Sequence, residues 1–165
     1  MAVVSNTSPI LALSAIEYLS LLKKQFEEVL IPDAVQNELK TDTDFRGTKN
    51  IRQALKDGWL KVQSIQNTRL AQALAIEIDY GEAEAITLAL ETQSPIILLD
   101  EYDGRAKARA LGLRPIGVLG ILLRAKQEQD IDSLKLIITA LQKDVGFFVS
   151  EELLTMILKQ AGETQ

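Results

Sequence analysis

Between Asp79 and Asp103 the chain reads DYGEAEAITLALETQSPIILLDEYD, and every charged side chain in that stretch is an acid: Asp79, Glu82, Glu84, Glu91, Asp100, Glu101 and Asp103. The whole chain contains no histidine and no cysteine. Imidazole acid–base catalysis, Ser-His-Asp and Cys-His hydrolysis, and thiolate or two-histidine zinc sites are therefore excluded. If the chain is a hydrolase, its usable chemistry is carboxylates holding a hard, oxygen-seeking cation such as Mg²⁺ or Mn²⁺. Otherwise it catalyses nothing.

The stretch reads as a short buried helix, a turn at Ser94-Pro95 and a buried strand from Ile96 to Leu99 that ends on Asp100. A carboxylate just past a strand C-terminus stands where open α/β sheets place their ligands. Glu82 opens the helix. Glu82 and Glu84 are about 200° apart on a helical wheel and cannot share a direction. Glu82 stacks above Ile86, Ala89 and Leu90, an apolar face, and is read as the inward carboxylate. Glu84 stacks above Leu88 and Glu91 and is read, with Asp79, Glu91 and Glu101, as a cap or solvated surface.

Each acid also has a plain structural reading. Asp79-Tyr80-Gly81-Glu82 fits a D-x-x-E capping box. Asp100 suits the N-cap of the following helix, and Glu38 suits an ordinary surface position.

The elements that must position these residues follow in order. Ala2–Ser5 reads as a buried first strand, and Asn6 comes directly after it. Ser8 as N-cap and Pro9 then open a helix that runs to Phe26 with a break near Ser14 or Glu17. A second strand at Val29–Ile31 stops at Pro32, and Asp33 caps a helix carrying Val35, Glu38 and Leu39. A polar loop spans Thr41–Gly47, followed by a helix at Thr48–Lys56, a strand at Trp59–Ile65 and a helix at Asn67–Ile78. Beyond the acidic stretch come a basic helix at Gly104–Leu111, a strand at Arg114–Leu119, and helices at Ile121–Glu128, Ile131–Lys143 and Ser150–Gln160. Short apolar strands alternating with helices indicate one α/β domain over 1–165, with a mostly parallel sheet and helices on both faces. Side chains following the strand C-termini then converge on one edge, with Asn6 and Asp100 there and Glu38 and Glu82 on helices within reach.

With 165 residues, 47% apolar and 25% charged, the composition is that of a globular chain burying roughly 70% of its unfolded surface. No apolar run approaches the roughly 20 residues a membrane span needs, so no membrane association is expected and a cytoplasmic location is. The net charge of −5 argues against a protein that coats DNA nonspecifically. Yet Gly104–Lys126 carries Arg105, Lys107, Arg109, Arg114, Arg124 and Lys126 with no acid. That is either a surface for a phosphodiester beside an acidic focus or a solvated helix face.

Taken together, VVSNTSPI, V-x-x-E at Val35–Glu38, GEAEAITLALE, ILLD followed by DGRAKARALGL, and GVLGILLRAK resemble the PIN domain family. They are most similar to its branch of small prokaryotic proteins related to VapC-type toxins. Glu82 and Asp100 are eighteen residues apart, close to the spacing of the third and fourth acids of that family. The resemblance implies a three-layer α/β/α sandwich with an acidic pocket that binds one or two Mg²⁺ or Mn²⁺ ions and hydrolyses a phosphodiester, usually in RNA. By position the four catalytic, metal-binding places fall at Asn6, Glu38, Glu82 and Asp100, with Asp103 as a further metal-side carboxylate and Thr7 as a secondary contact. It also implies an RNA substrate, an antitoxin protein as partner, and a homodimer.

One place departs from the pattern. The first acid is Asn6, whose amide oxygen still coordinates a hard cation but without a negative charge. Two readings follow: a metal-dependent ribonuclease, or a catalytically weak or inactive PIN-like module that binds protein or nucleic acid. A response-regulator receiver needs an acidic pair after the first strand and a lysine after the last, and a haloacid-dehalogenase-type phosphatase needs D-x-D after strand one. Neither pattern is present. The C-terminal apolar positions, Leu134, Ile137, Ile138 and Leu141, then Leu153, Leu154, Ile157 and Leu158, suit either core or a dimer contact.

Overall fold

A computed structural model describes residues 2–164. Among them, five short strands form one all-parallel sheet: β1 (Ala2–Ser5), β2 (Glu28–Ile31), β3 (Leu60–Val62), β4 (Ile96–Leu98) and β5 (Arg114–Ile116). The spatial order is β3-β2-β1-β4-β5. The chain builds outward from β1 to one side, then crosses back to build outward on the other. Between β1 and β4 the direction of winding reverses, and a crevice opens there at the strand C-termini.

Ten helices cover the sheet among the described residues: α1 (Thr7–Ala15), α2 (Ser20–Phe26), α3 (Asp33–Leu39), α4 (Thr48–Asp57), α5 (Thr68–Leu74), α6 (Tyr80–Glu91), α7 (Tyr102–Ala110), α8 (Val118–Gln127), α9 (Leu134–Ala140) and α10 (Glu151–Gln160). Successive strand residues point to opposite faces, and the two cores follow that alternation. Val3, Val29, Ile31 and Leu98 join Leu13, Leu22, Ile121, Ile138 and Leu158 on one face. Val4, Leu30, Ile97 and Leu99 join Leu74, Ile86, Leu88 and Ala108 on the other. The result is a three-layer α/β/α sandwich. The C-terminal apolar positions Leu134, Ile137, Ile138, Leu141, Ile157 and Leu158 lie in the first of these cores. None of the described helices is long and apolar enough to cross a membrane.

Several boundaries differ from the sequence reading. Asn6, not Ser8, holds the N-cap position of α1. Glu17, at φ 64°, makes the break before α2. Pro32 precedes α3, so Asp33 is its first helical residue rather than its cap. β3 is shorter than Trp59–Ile65, and β5 stops at Ile116 because Gly117 already caps α8. Glu101, not Asp100, takes the N-cap position of α7. The helix expected from Ile131 begins at Leu134, where Glu163 receives its first N–H groups, and ends in a π turn at Leu141–Val145.

Candidate metal centre

Asn6 follows β1 and Asp100 follows β4, so the two strands flanking the winding reversal each deliver an oxygen-bearing side chain to the crevice. The Asn6 N–H donates to the Leu98 carbonyl at 2.9 Å, which extends the β1–β4 ladder and holds Asn6 in place. Asparagine at an N-cap ordinarily accepts a bond from the helix it starts. Here it does not, and its Oδ1 is buried with no partner. Asp100 accepts the Val118 N–H on Oδ1 at 3.0 Å, at the first turn of α8, while its Oδ2 is buried and unpartnered. Burial pushes the Asp100 carboxyl up to about 6, against the pull of the Val118 N–H and of Arg105, with Glu101 adding to the rise.

Glu82 behaves the same way. Its Oε1 accepts the Asp79 N–H at 3.3 Å, completing the capping box, and its Oε2 is buried without a partner. Glu82 thus caps α6 with one oxygen, as its capping-box reading expected, and keeps the other buried. Burial raises its pKa to about 7, opposed by the Asp79 N–H and assisted by the charges of Asp79, Glu101 and Asp103.

Three glycines make room for the carboxylates: Gly117 beside Asp100, where a Cβ would stand 2.6 Å from Oδ1, and Gly104 and Gly81 beside the two glutamates. A Cβ on Gly104 would stand 2.1 Å from Glu82 Oε2, and one on Gly81 would stand 2.0 Å from Glu38 Oε1. Glu38 is otherwise exposed and accepts the Thr7 hydroxyl at 3.1 Å, which links it back to the end of β1.

The five expected residues lie at one edge of the sheet but not in one knot. Glu82 and Asp103 line a hollow of about 370 Å³ with Asp79 and Glu101. Asp100 instead lines a larger one of about 740 Å³. Among the described residues, no three acidic side chains stand together as a ready set of ligands. Each carboxylate in this conformation has one oxygen on a local donor: Asp79 N–H for Glu82, Val118 N–H for Asp100, and the Thr7 hydroxyl for Glu38. The remaining oxygens suit a hard cation. Asn6 Oδ1, Glu82 Oε2 and Asp100 Oδ2 are all acceptors, all oxygen and all buried without a donor, whereas buried polar atoms are ordinarily satisfied.

The profile of a family described as PIN domain matches residues 2–163 of this chain. The chain belongs to the PIN domain family. No curated protein and no solved structure matches it. As a PIN domain it carries a nuclease-type fold, from a family generally dependent on divalent metal and associated with nucleic acid.

Within this PIN domain the surprise is Glu84. Read as a cap or solvated surface, it is 7% exposed, and its Oε1 accepts the Ala34 N–H at 3.0 Å, so it is a cap, but of the distant α3 and not of its own helix. The wheel argument failed because α6 has no solvent face along its first turns: Gly81 to Ala89 are all buried. Ala83, Ala85 and Ala89, small residues spread around the wheel, were the signal that neighbours approach from every side. Glu101, also passed over, contributes charge to both Glu82 and Asp100.

The basic stretch divides by role. Lys107 pairs with Glu77, Arg124 with Glu128, and Lys126 with Glu163. Arg105 donates from Nη1 to the Leu99 carbonyl at 2.8 Å, which brings it beside Asp100.

Proposed function

We propose that this PIN domain is a divalent-metal-dependent ribonuclease that hydrolyses a phosphodiester. The observation that carries the reading is the trio of buried, unpartnered oxygens on Asn6, Glu82 and Asp100 at the winding reversal. Those three residues would hold Mg²⁺ or Mn²⁺, with Glu38 and Asp103 flanking them. The bound ions would supply an activated water and neutralise charge developing on the phosphate. The protein's own share is positional. Thr7 steadies Glu38, the Asp79 and Val118 amides orient Glu82 and Asp100, and Arg105 offers a guanidinium beside Asp100 for a phosphate oxygen.

The proposal extends to a toxin-like role with an antitoxin partner, to a homodimer, to a cytoplasmic location and to one domain over the whole chain. The resemblance to VapC-type relatives is their support. A second reading, a weakly active or inactive binding module, draws on Asn6 in place of an acid and on the dispersed carboxylates.

The deciding assay incubates the purified chain with structured and single-stranded RNA in Mn²⁺ or Mg²⁺, beside an Asp100→Asn variant. Cleavage by the wild type and loss of it in the variant support the ribonuclease. Equal cleavage by both, or none by either at stoichiometric protein, sinks it.

A further inference from the structure

The larger hollow begins at Asp100 and runs between the edge strand β5, α8 and α10. Among its described lining residues Asp100 is the sole acid, and three arginines, Arg105, Arg114 and Arg124, line it too. They are held differently. Arg105 is tied to the Leu99 carbonyl. Arg124 is paired with Glu128 and lies 5.8 Å above the Phe26 ring. Arg114 is held on β5 by its backbone, whose N–H donates to the Pro95 carbonyl at 2.8 Å, while its exposed side chain has no hydrogen bond or ion pair to any described residue. In a chain of net charge −5 this groove is a local concentration of positive charge.

Phe148, which also lines the groove, is 86% exposed. Its neighbours anchor it from both sides: Phe147 packs on the core and donates its N–H to the Leu141 carbonyl at 3.1 Å, and Val149 is buried. The segment therefore presents one phenyl ring to solvent while Phe147 before it is partly buried and Val149 after it is buried. Leaving such a ring in water forgoes the stabilisation its burial would bring.

We propose that this groove binds a single-stranded nucleic acid, with phosphates on Arg105 and Arg114 and a base against Phe148, and leads the strand to Asp100. The arginine fork matches phosphate oxygens, and an aromatic ring stacks on any unpaired base. A duplex keeps its base faces covered, so the ring would have nothing to stack on. An uncharged or basic peptide partner would use Phe148 and the apolar wall but would leave the arginines unmatched. The inference rests on the ribonuclease reading only for what happens at Asp100. Binding in the groove does not require it.

Fluorescence anisotropy in EDTA separates the two, with the full chain and a labelled single-stranded RNA of about twelve nucleotides. Phe148→Ala is expected to weaken binding by roughly 5- to 100-fold. Arg114→Ala should weaken it and reduce the steepness of the log–log salt dependence by about 0.7. Both side chains are exposed, so the variants should fold, and circular dichroism checks this. The inference is overturned by no binding of RNA to the wild type, or by unchanged affinity in both variants. A duplex or an acidic peptide binding as tightly would also overturn it. So would a dimer that Phe148→Ala converts to monomer with RNA affinity intact, since the groove would then be a self-association face. Cleavage in Mn²⁺ with unchanged variant affinities would remove the groove and leave the ribonuclease. Weakened variants in a chain that never cleaves would do the reverse.

Discussion

Glu84 Oε1 accepts the Ala34 backbone N–H across 3.0 Å, so the helix that carries Glu82 also caps the helix that carries Glu38. Pro32, at the start of α3, has no side-chain oxygen to offer, and a distant carboxylate supplies what a local cap would. The two candidate carboxylates are thereby held at a fixed relation by a residue that needs no part in the chemistry.

Replacing Glu84 tests that relation. Glu84→Ala leaves the part-buried Ala34 N–H without an acceptor and should lower stability by about 1 kcal/mol. The Tyr80 phenol, held above its usual range first by its hydrogen bond to Glu84, should titrate closer to the ordinary tyrosine value. A variant with the wild-type urea midpoint would mean the cap contributes nothing.

Glu82 and Asp100 give the protein a characteristic pH response. A carboxyl whose folded pKa is raised favours the folded state in its protonated form. Its contribution is full below the unfolded values of 4.5 and 3.8, and is lost as pH rises through about 7 for Glu82 and about 6 for Asp100. In EDTA, a Glu82→Gln, Asp100→Asn double variant should therefore gain stability relative to wild type as pH is raised from about 4 to 8. A gap in urea midpoints that does not change with pH would contradict the burial-driven shifts.

Divalent metal should reverse that ranking. At a hundredfold excess over Kd, Mn²⁺ should stabilise the wild type by about 2.7 kcal/mol and the double variant hardly at all. Equal stabilisation of both by thermal unfolding would place the ion elsewhere.

Asn6→Asp restores a charge at the end of β1. It should tighten Mn²⁺ binding about tenfold by calorimetry, part of the Coulombic gain being offset by repulsion from the other acids. Without metal the same change should destabilise the chain, because a buried amide becomes a buried charge. Unchanged metal affinity would mean that Asn6 is not at the site.

Glu163 offers a control away from the crevice. It accepts the Leu134 N–H at 2.7 Å and the Lys135 N–H at 3.2 Å, and pairs with Lys126 at 3.3 Å. Burial alone would raise its pKa, but these partners outweigh it and hold the carboxyl below its usual range. Its stabilisation is present above the unfolded pKa and fades as pH falls through the lowered one. Glu163→Gln should cost about 1 kcal/mol at neutral pH, less in acid, with RNA cleavage retained.

Much of this protein was legible from residue order alone. Apolar runs at Ala2–Ser5, Val29–Ile31 and Ile96–Leu99 made buried parallel strands because nothing polar interrupts them. The missing histidine and cysteine narrowed any hydrolytic chemistry to carboxylates and hard cations. The helix carrying Glu82 and the strand ending in Asp100 were located with their capping box, since caps act within a turn of the residues they serve.

Tertiary structure decided what depends on neighbours distant in sequence. It buried Glu84 against Ala34, fifty residues away, which no helical wheel can anticipate when a helix is enclosed on every side. It placed β4 beside β1 and so set Asn6 near Asp100. It left one oxygen of each of Asn6, Glu82 and Asp100 without a donor, and turned Asp100 toward a groove of arginines that the run of basic residues only hinted at. Periodicity reports which way a side chain points from its own element. Whether a donor waits there is a property of the packed chain.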